Sequence, residues 1–256
     1  SDAVNGPADL MDARDAMIET VASKIGVKVD YKANGQVTML VGGYAIVQDE
    51  HTRELSTSGS TGSLSVKMSA GDGTLTIDSL LSGELGGLVK ARDQSSSTLT
   101  DLDTFAEDFV DEINAQHSGG FDSFGVPGLD FFTIPGAATN ASTAMELDSS
   151  LAADPRLIAA AGTPSAEVGD ASNLDAVLEV ENTKLFSSGT KNSREFVSSI
   201  YSDLGNSIVG FEVDATTHGA IMMDLDSLKE ASSSVDLDEE AVSLIQYQAS
   251  YQAAAR

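Results

Sequence analysis

The residues that could do chemistry are few and are spaced wrongly for it. His51, His117 and His218 lie far apart, with neither an HExxH pattern nor a pair that would set two imidazoles on one metal ion. The chain has no cysteine, which removes thiolate ligands, disulfides and a thiol nucleophile together and leaves the fold to packing. Serine and aspartate are plentiful, but no GxSxG marks a nucleophile elbow. Asp101, Asp103 and Glu112 match positions 1, 3 and 12 of a calcium loop, yet Phe105 and Ala106 stand where a liganding oxygen and the turn glycine are required, so the stretch reads as helix. Gly83, Gly86 and Gly87 have neither dinucleotide nor P-loop spacing, and no Lys-Ser/Thr follows them; close helix packing is the better explanation. Pairs such as Asp9/Asp12 and Glu239/Glu240 fall on exposed helical faces or in a first turn and carry no acid–base signature. His117 reads as a favourable charge near a helix C-terminus, and His218 as a polar residue setting register between helices. The expectation is a protein with no catalytic, cofactor-binding or metal-binding residue.

Charge narrows the partners. Forty acidic residues against 14 basic ones give a net charge of −26, which repels a nucleic-acid backbone and an anionic membrane surface alike. No apolar run of about 18 residues is present and the N-terminus has neither a charged nor an apolar signal region, so no membrane span or Sec-type signal is expected. With 256 residues, 41% of them hydrophobic, the chain has room for one large or two modest domains.

What the sequence does contain is helical seams. Pro7 suits a helix start, and residues 8 to 25 place Leu10, Arg14, Met17 and Val21 on one face, flanked by Met11, Ile18, Ala22 and Ile25, before Gly26. Leu99, Leu102, Ala106, Phe109, Ile113 and Gln116 make a second seam over about 98–117. A third runs Val197, Tyr201, Leu204, Ile208, Phe211, Ala215, His218, Met222 and Leu225, with Gly205, Gly210 and Gly219 predicting a bend or a tight contact. A fourth holds Leu237, Ala241, Leu244, Gln248, Tyr251 and Ala255 behind an acidic start at Asp238 to Glu240. Alternating steps of four and three predict helices that lie against other helices. No Gly, Asn or Pro ends the last one at Arg256, so the chain is expected to continue past it. Between seams the period falls to two: Val27 to Tyr31 and Val37 to Val41 predict a hairpin with a type I′ turn at Asn34-Gly35. Gly42-Gly43 leads into Tyr44 to Val47, and Leu64 to Met68 pairs with Thr74 to Ile77 across residues 70–73, leaving 56–63 as an exposed loop. Ser95, Ser96 and Ser97 are expected to loosen the connection into the second seam. Residues 135 to 190 read as short strands and turns, and Asn140-Ala141-Ser142 is a chance sequon.

Several of these segments resemble known ones. The run LDEEAVSLIQYQASYQAAAR resembles the C-terminal signature of flagellar axial proteins. DARD (12–15), SGELGGLVKARD (82–93), NAQHSGGFD (114–122), GVPGLDFFTI (125–134), the DP element at Asp154-Pro155 and GDASNLDAV (169–177) resemble, in the same order, segments of the flagellar hook-associated protein 1 family. The order across the chain is more specific than any one motif. Ser234, where the family often has glycine, and the serines at 95–97 are departures.

The resemblance implies a structural subunit that joins hook to filament, exported through the flagellar channel without a cleavable signal and located in the extracellular flagellum. It implies the core of such a protein, without its N-terminal region and last C-terminal helix. Implied partners are other copies of itself and neighbouring axial proteins, with an export chaperone on residues beyond this stretch. The expected class is α+β: an elongated antiparallel helical bundle formed by N- and C-terminal segments, carrying inserted small antiparallel β domains. The bundle is expected from 1–26, 82–130 and 191–256, a β-rich hairpin unit from 27–81 and an outer β-rich segment from 131–190. Assembly contacts are expected at Leu237, Ala241, Leu244, Gln248, Tyr251, Ala255, Leu204, Ile208, Phe211, Met222, Leu225, Leu102, Phe109 and Ile113. The alternatives are another axial protein, of hook or rod type, or an extracellular binding module on a helical stalk.

Overall fold

The structure, a computed structural model, describes residues 8–60, 63–136, 140–233 and 237–254, with side chains left out at 8, 229–233, 237–241, 243 and 253–254. The class is α+β, helical with small antiparallel sheets inserted. The chain forms two compact units, residues 1–201 and 202–256.

The first unit opens with α1 (Ala8–Ile25). The face it buries is offset from the expected seam: Ile18 and Ile25 go in with Val21 beside them, while Leu10 and Met17 stay exposed. The offset follows from the partner, since the core it serves is lined mainly by strand residues. Gly26, at φ 61°, ends the helix with its N–H on the Ala22 carbonyl (2.9 Å), the left-handed stop that glycine makes cheaply.

Strands β1 (Lys28–Tyr31) and β2 (Val37–Val41) pair antiparallel, but not through a type I′ turn, which needs positive φ at both central residues. Only Gly35 is left-handed (81°). Hydrogen bonds from Gly35 N–H to the Lys32 carbonyl and from Lys32 N–H to the Gln36 carbonyl, both 2.9 Å, instead close a loop over residues 33–35. Gly42-Gly43, with φ of 55° and 91°, makes the tight turn into β3 (Tyr44–Gln48), and β4 (His51–Thr52) completes a sheet of order β1-β2-β3-β4. The second sheet is β5 (Leu55–Ser58), β6 (Ser65–Ala70) and β7 (Gly73–Thr76), in that order. Residues 56–58 are therefore an edge strand rather than loop; their Ser and Thr side chains suit an edge with no core on either face. Met39, Val41 and Ile46 from the first sheet and Val66 and Met68 from the second join Ile18, Ile25, Ile77, Leu81 and Val89 in one core, so the hairpins share their interior with both neighbouring helices.

Helix α2 (Gly83–Ser118) is continuous over 36 residues, about 54 Å at 1.5 Å per residue. The serines expected to loosen it do not. Ser95 and Thr100 hydroxyls donate to carbonyls four residues back, at Ala91 (2.8 Å) and Ser96 (3.0 Å), as Thr98 does to Gln94 (3.0 Å), so these side chains are satisfied on the helix's own carbonyls and the helix runs through them unbroken. The glycines at its start are packing devices. A Cβ on Gly83 (φ 64°) would meet the Ser23 carbonyl oxygen at 2.5 Å, and one on Gly86 the Leu81 carbonyl oxygen at 2.7 Å; Gly87 meets nothing. Arg92 ties α2 to the second sheet through Asp78 (3.2 Å) and the Leu64 carbonyl, while Asp78 accepts from Val66 N–H (2.6 Å). Partial burial pushes the Asp78 carboxyl up, but the Val66 N–H and the Arg92 guanidinium together hold it below its ordinary value.

The expectation of a β-rich 131–190 is overturned. Its described residues hold one two-residue pairing, β8 (Phe132–Thr133) with β9 (Glu146–Leu147), among short helices: α3 (Ala141–Ala144), α4 (Ser149–Ala153), α5 (Ser172–Glu179) and α6 (Phe186–Gly189). Aspartates decide this locally. Asp148 accepts from Ser150 and Leu151 N–H, and Asp154 from Arg156 N–H behind Pro155; Asp and Ser favour such caps over pleated strands. α7 (Ser193–Ser233) and α8 (Leu237–Ala254) follow.

Two stability measurements check this packing. Thr38 is buried in β2 and its hydroxyl has no hydrogen-bond partner, so Thr38→Val should stabilise by about 1 kcal/mol in urea unfolding; destabilisation would mean that the hydroxyl is bonded. Gly83→Ala should cost about 2 kcal/mol or more, from left-handed strain plus the clash with the Ser23 carbonyl, and an unchanged midpoint would refute the close approach.

Candidate assembly surface

The C-terminal half of α2 acts as a rack of polar side chains holding backbone that has no ladder of its own. Asp103 accepts from Ser142 N–H (2.9 Å) and from its hydroxyl (2.6 Å). Asn114 accepts from Phe131 and Phe132 N–H (2.8 and 2.9 Å) and donates to the Phe132 carbonyl (2.8 Å). Gln116 donates to Asn173 (3.1 Å), whose amide reaches the Ala159 carbonyl (2.8 Å). His117 is fully buried: Ala159 N–H donates to its Nε2 (2.9 Å), so Nδ1 carries the hydrogen and donates to the Leu129 carbonyl (2.6 Å). The sequence expectation of a charged partner for the helix dipole is therefore replaced by a neutral ring wedged between two backbone groups. Asp103, once matched to a calcium-loop position, is used as a backbone anchor.

The same helix presents Phe105 and Phe109 to a ring cluster. Phe186, buried, lies 5.0 Å from both Phe105 and Phe196 between ring centroids, and Phe109 stacks at 5.8 Å on Phe105 and faces Phe132 at 6.2 Å. Ahead of Phe196 the chain makes a left-handed turn, with Ser187 at φ 52° and Ser188 at φ 58° followed by Gly189 at 78°. Asn192 then starts α7 through a reciprocal cap: Glu195 N–H donates to the Asn192 side chain (2.9 Å), and Asn192 N–H to the Glu195 carboxylate (3.0 Å). Phe196 and Ile200 anchor this first stretch, with Ile200 buried. The capping box was readable as Asn-Ser-Arg-Glu ahead of the seam; the left-handed serines carried no signal beyond Gly189.

In the second unit the seam lies open. Leu204 is half-buried, but Ile208 is 50% exposed, Phe211 39%, Met222 55%, Leu225 54%, Leu244 57% and Tyr251 78%, with Gln248 exposed beside them. A Cβ at Gly205, Gly210 or Gly219 would touch nothing, so among the described residues the tight contact expected there is not made. The side chains of Leu237 and Ala241, and Ala255 entirely, lie outside the described residues. On α2, Ile113 is buried and Leu102 and Phe109 half-buried: these three serve the interior of the first unit. His51 and His218 are exposed. Among the described residues no three His, Cys, Asp or Glu are grouped to hold a metal ion, and no helix is long and apolar enough to cross a membrane. A concavity of about 720 Å3 between the end of α1 and the β2–β3 turn is lined mostly by small and aliphatic residues, with Lys28, Asp30 and Ser82 among them.

The description of the flagellar hook-associated protein FlgK helical domain matches residues 1–132, just over half of the chain. The chain belongs to the FlgK family. Flagellar hook-associated protein 1 of Salmonella typhimurium is 33% identical over 136 residues, 50% of this chain and 25% of that protein. The proteins of that name from Escherichia coli K12 and Bacillus subtilis 168 are 24% and 26% identical over 98% of this chain, which spans 62% and 56% of their lengths. The chain thus covers a quarter to three-fifths of these FlgK relatives. A solved structure of the flagellar hook junction protein FlgK from Burkholderia pseudomallei is 30% identical over 50% of this chain and 25% of its own, with a TM-score of 0.44. FlgK is a family of structural flagellar proteins, which points away from catalysis.

His117→Phe keeps an aromatic ring, adds bulk to a fully buried site and strands the Ala159 N–H and Leu129 carbonyl, so it should destabilise by about 2–4 kcal/mol in urea melts; a neutral result would show that the imidazole is not the clamp. Asp154, partly exposed, is held at about 2 by its hydrogen bonds to the Arg156 side chain and N–H. A depressed carboxylate contributes stability above its unfolded value of 3.8 and loses it as pH falls toward 2. Arg156→Ala should move the Asp154 carbon-13 carboxyl titration up toward 3.8, and no movement would disprove the pairing.

Proposed function

We propose that this chain is the core of a structural subunit at the hook–filament junction of the bacterial flagellum, assembling by helix packing with neighbouring axial subunits and with copies of itself. One observation carries the reading: a seam of four-and-three spacing, long enough to need a partner, stays exposed over the second unit of a chain that belongs to the FlgK family. A lone apolar residue on a surface is ordinary; a row of them along one helix face is a surface meant to be covered. The subunit does no chemistry of its own. The first unit, tied together by α2, acts as the rigid body, and the second offers the contact. The protein reaches this place by flagellar export and works outside the cell.

Complementation tests the reading. The full-length parent supplied to a strain lacking its own junction protein should restore filaments and swimming. The same parent carrying Ile208→Asp and Phe211→Asp should be exported in equal amount, keep its helical circular dichroism, and fail to restore swimming. Full motility with the double variant would overturn the role given to this seam.

A further inference from the structure

Resting on the assembly role just proposed, we infer that the α7 seam is built for a chemically different helix, one with an apolar stripe flanked by Lys or Arg, and not for the same seam of a second copy. In heptad terms, with Tyr201, Ile208, Ala215 and Met222 at a and Val197, Leu204, Phe211, His218 and Leu225 at d, the charged residues among the flanking e and g positions are Glu212 and Asp226 on one side and Asp214 on the other, the rest being Ser or Gly and, on the Asp214 side, Ile200, Ile221 and Leu228. The three acids are exposed, and among the described residues none is in an ion pair. No Lys or Arg occurs between Arg194 and Lys229. Flanking charges choose the partner of such a seam.

A second copy brings only more acid. In the antiparallel register centred between Phe211 and Ala215, which matches a to d across the seam, Glu212 and Asp214 fall against their own counterparts, and like charges that close oppose association. The other helices of the chain do no better. α1 carries Asp9, Asp12, Asp15 and Glu19 against Arg14 and Lys24, and α2 has only Lys90 and Arg92 as bases among its many acids. The complementary surface therefore belongs to another polypeptide segment with basic flanks, which makes this contact directional, as a junction between two unlike polymers requires.

The test uses the chain against its own charge-reversed form. A variant with Glu212→Lys, Asp214→Lys and Asp226→Lys supplies an identical apolar seam with basic flanks, and sedimentation velocity is run on each protein alone and on an equimolar mixture, at low and high salt. The mixture should form a one-to-one complex at least about tenfold tighter than either protein forms with itself, weakening as salt is raised and lost when Phe211→Asp is added to the unreversed partner. Self-association of the natural chain as tight as the mixture, or a mixture that stays monomeric, overturns the inference. Complementation reads the assembly role separately: restored swimming with no pairing in the mixture rejects the partner's chemistry alone, and pairing without restored swimming rejects the junction role alone.

Discussion

The first unit depends on α2 satisfying backbone that cannot satisfy itself. Among the described residues of 120–160 the chain pairs its backbone mostly in turns, short helices and one two-residue strand pair, so several N–H and C=O groups take side-chain partners from elsewhere, and a buried one left unpaired costs about 1–3 kcal/mol. Asp103, Asn114 and His117, spaced along one side of the helix, supply several of them, and Gln116 holds Asn173, whose amide takes the Ala159 carbonyl. At its other end α2 faces a different problem, the docking of two hairpins, and meets it with Val89, a glycine start and the Arg92–Asp78 pair. One uninterrupted helix thus joins an apolar interface to a polar one, and the ring cluster of Phe105, Phe186 and Phe196 lets the same helix hold the root of α7.

How much of this could be read beforehand follows from where periodicity is strong. The end of α1 at Gly26 and the hairpin partners were legible because apolar spacing and glycine turns dictate them locally, whereas the acidic start of the last helix lies at the edge of the described residues. The buried face of α1 was not: Leu10 and Ile18 are equally apolar, and only the sheet decides which goes inward. Reading Asn34-Gly35 as a two-residue turn failed because the same dipeptide also closes a longer loop in which only glycine is left-handed. The serines at 95–97 misled because hydroxyls that compete with a helix in isolation can bond back onto it. In 131–190 a composition of Ala, Ser, Gly and Asp has no period to read, and capping by Asp148 and Asp154 turned it into short helices.

The surface was more legible than its use. The four-and-three steps from Val197 to Leu225 are plain in the sequence, but not whether the chain covers that seam itself. In the structure Ile208, Met222 and Leu225 stand open. A net charge of −26 opposes association of such a surface with its like, and on the reading proposed above the acidic flanks would make the choice of partner electrostatic as well as apolar. On this account an assembly protein needs a stiff body, an open seam and a reason not to pair with itself too soon.

The contacts along α2 make it one cooperative spine. Amide hydrogen exchange followed residue by residue tests it most directly: slow exchange should run without a break from Val89 through Ser95, Ser96 and Ser97 to His117, collapsing as one unit in denaturant. Fast exchange at the three serines, splitting the helix into two blocks that open independently, would contradict it.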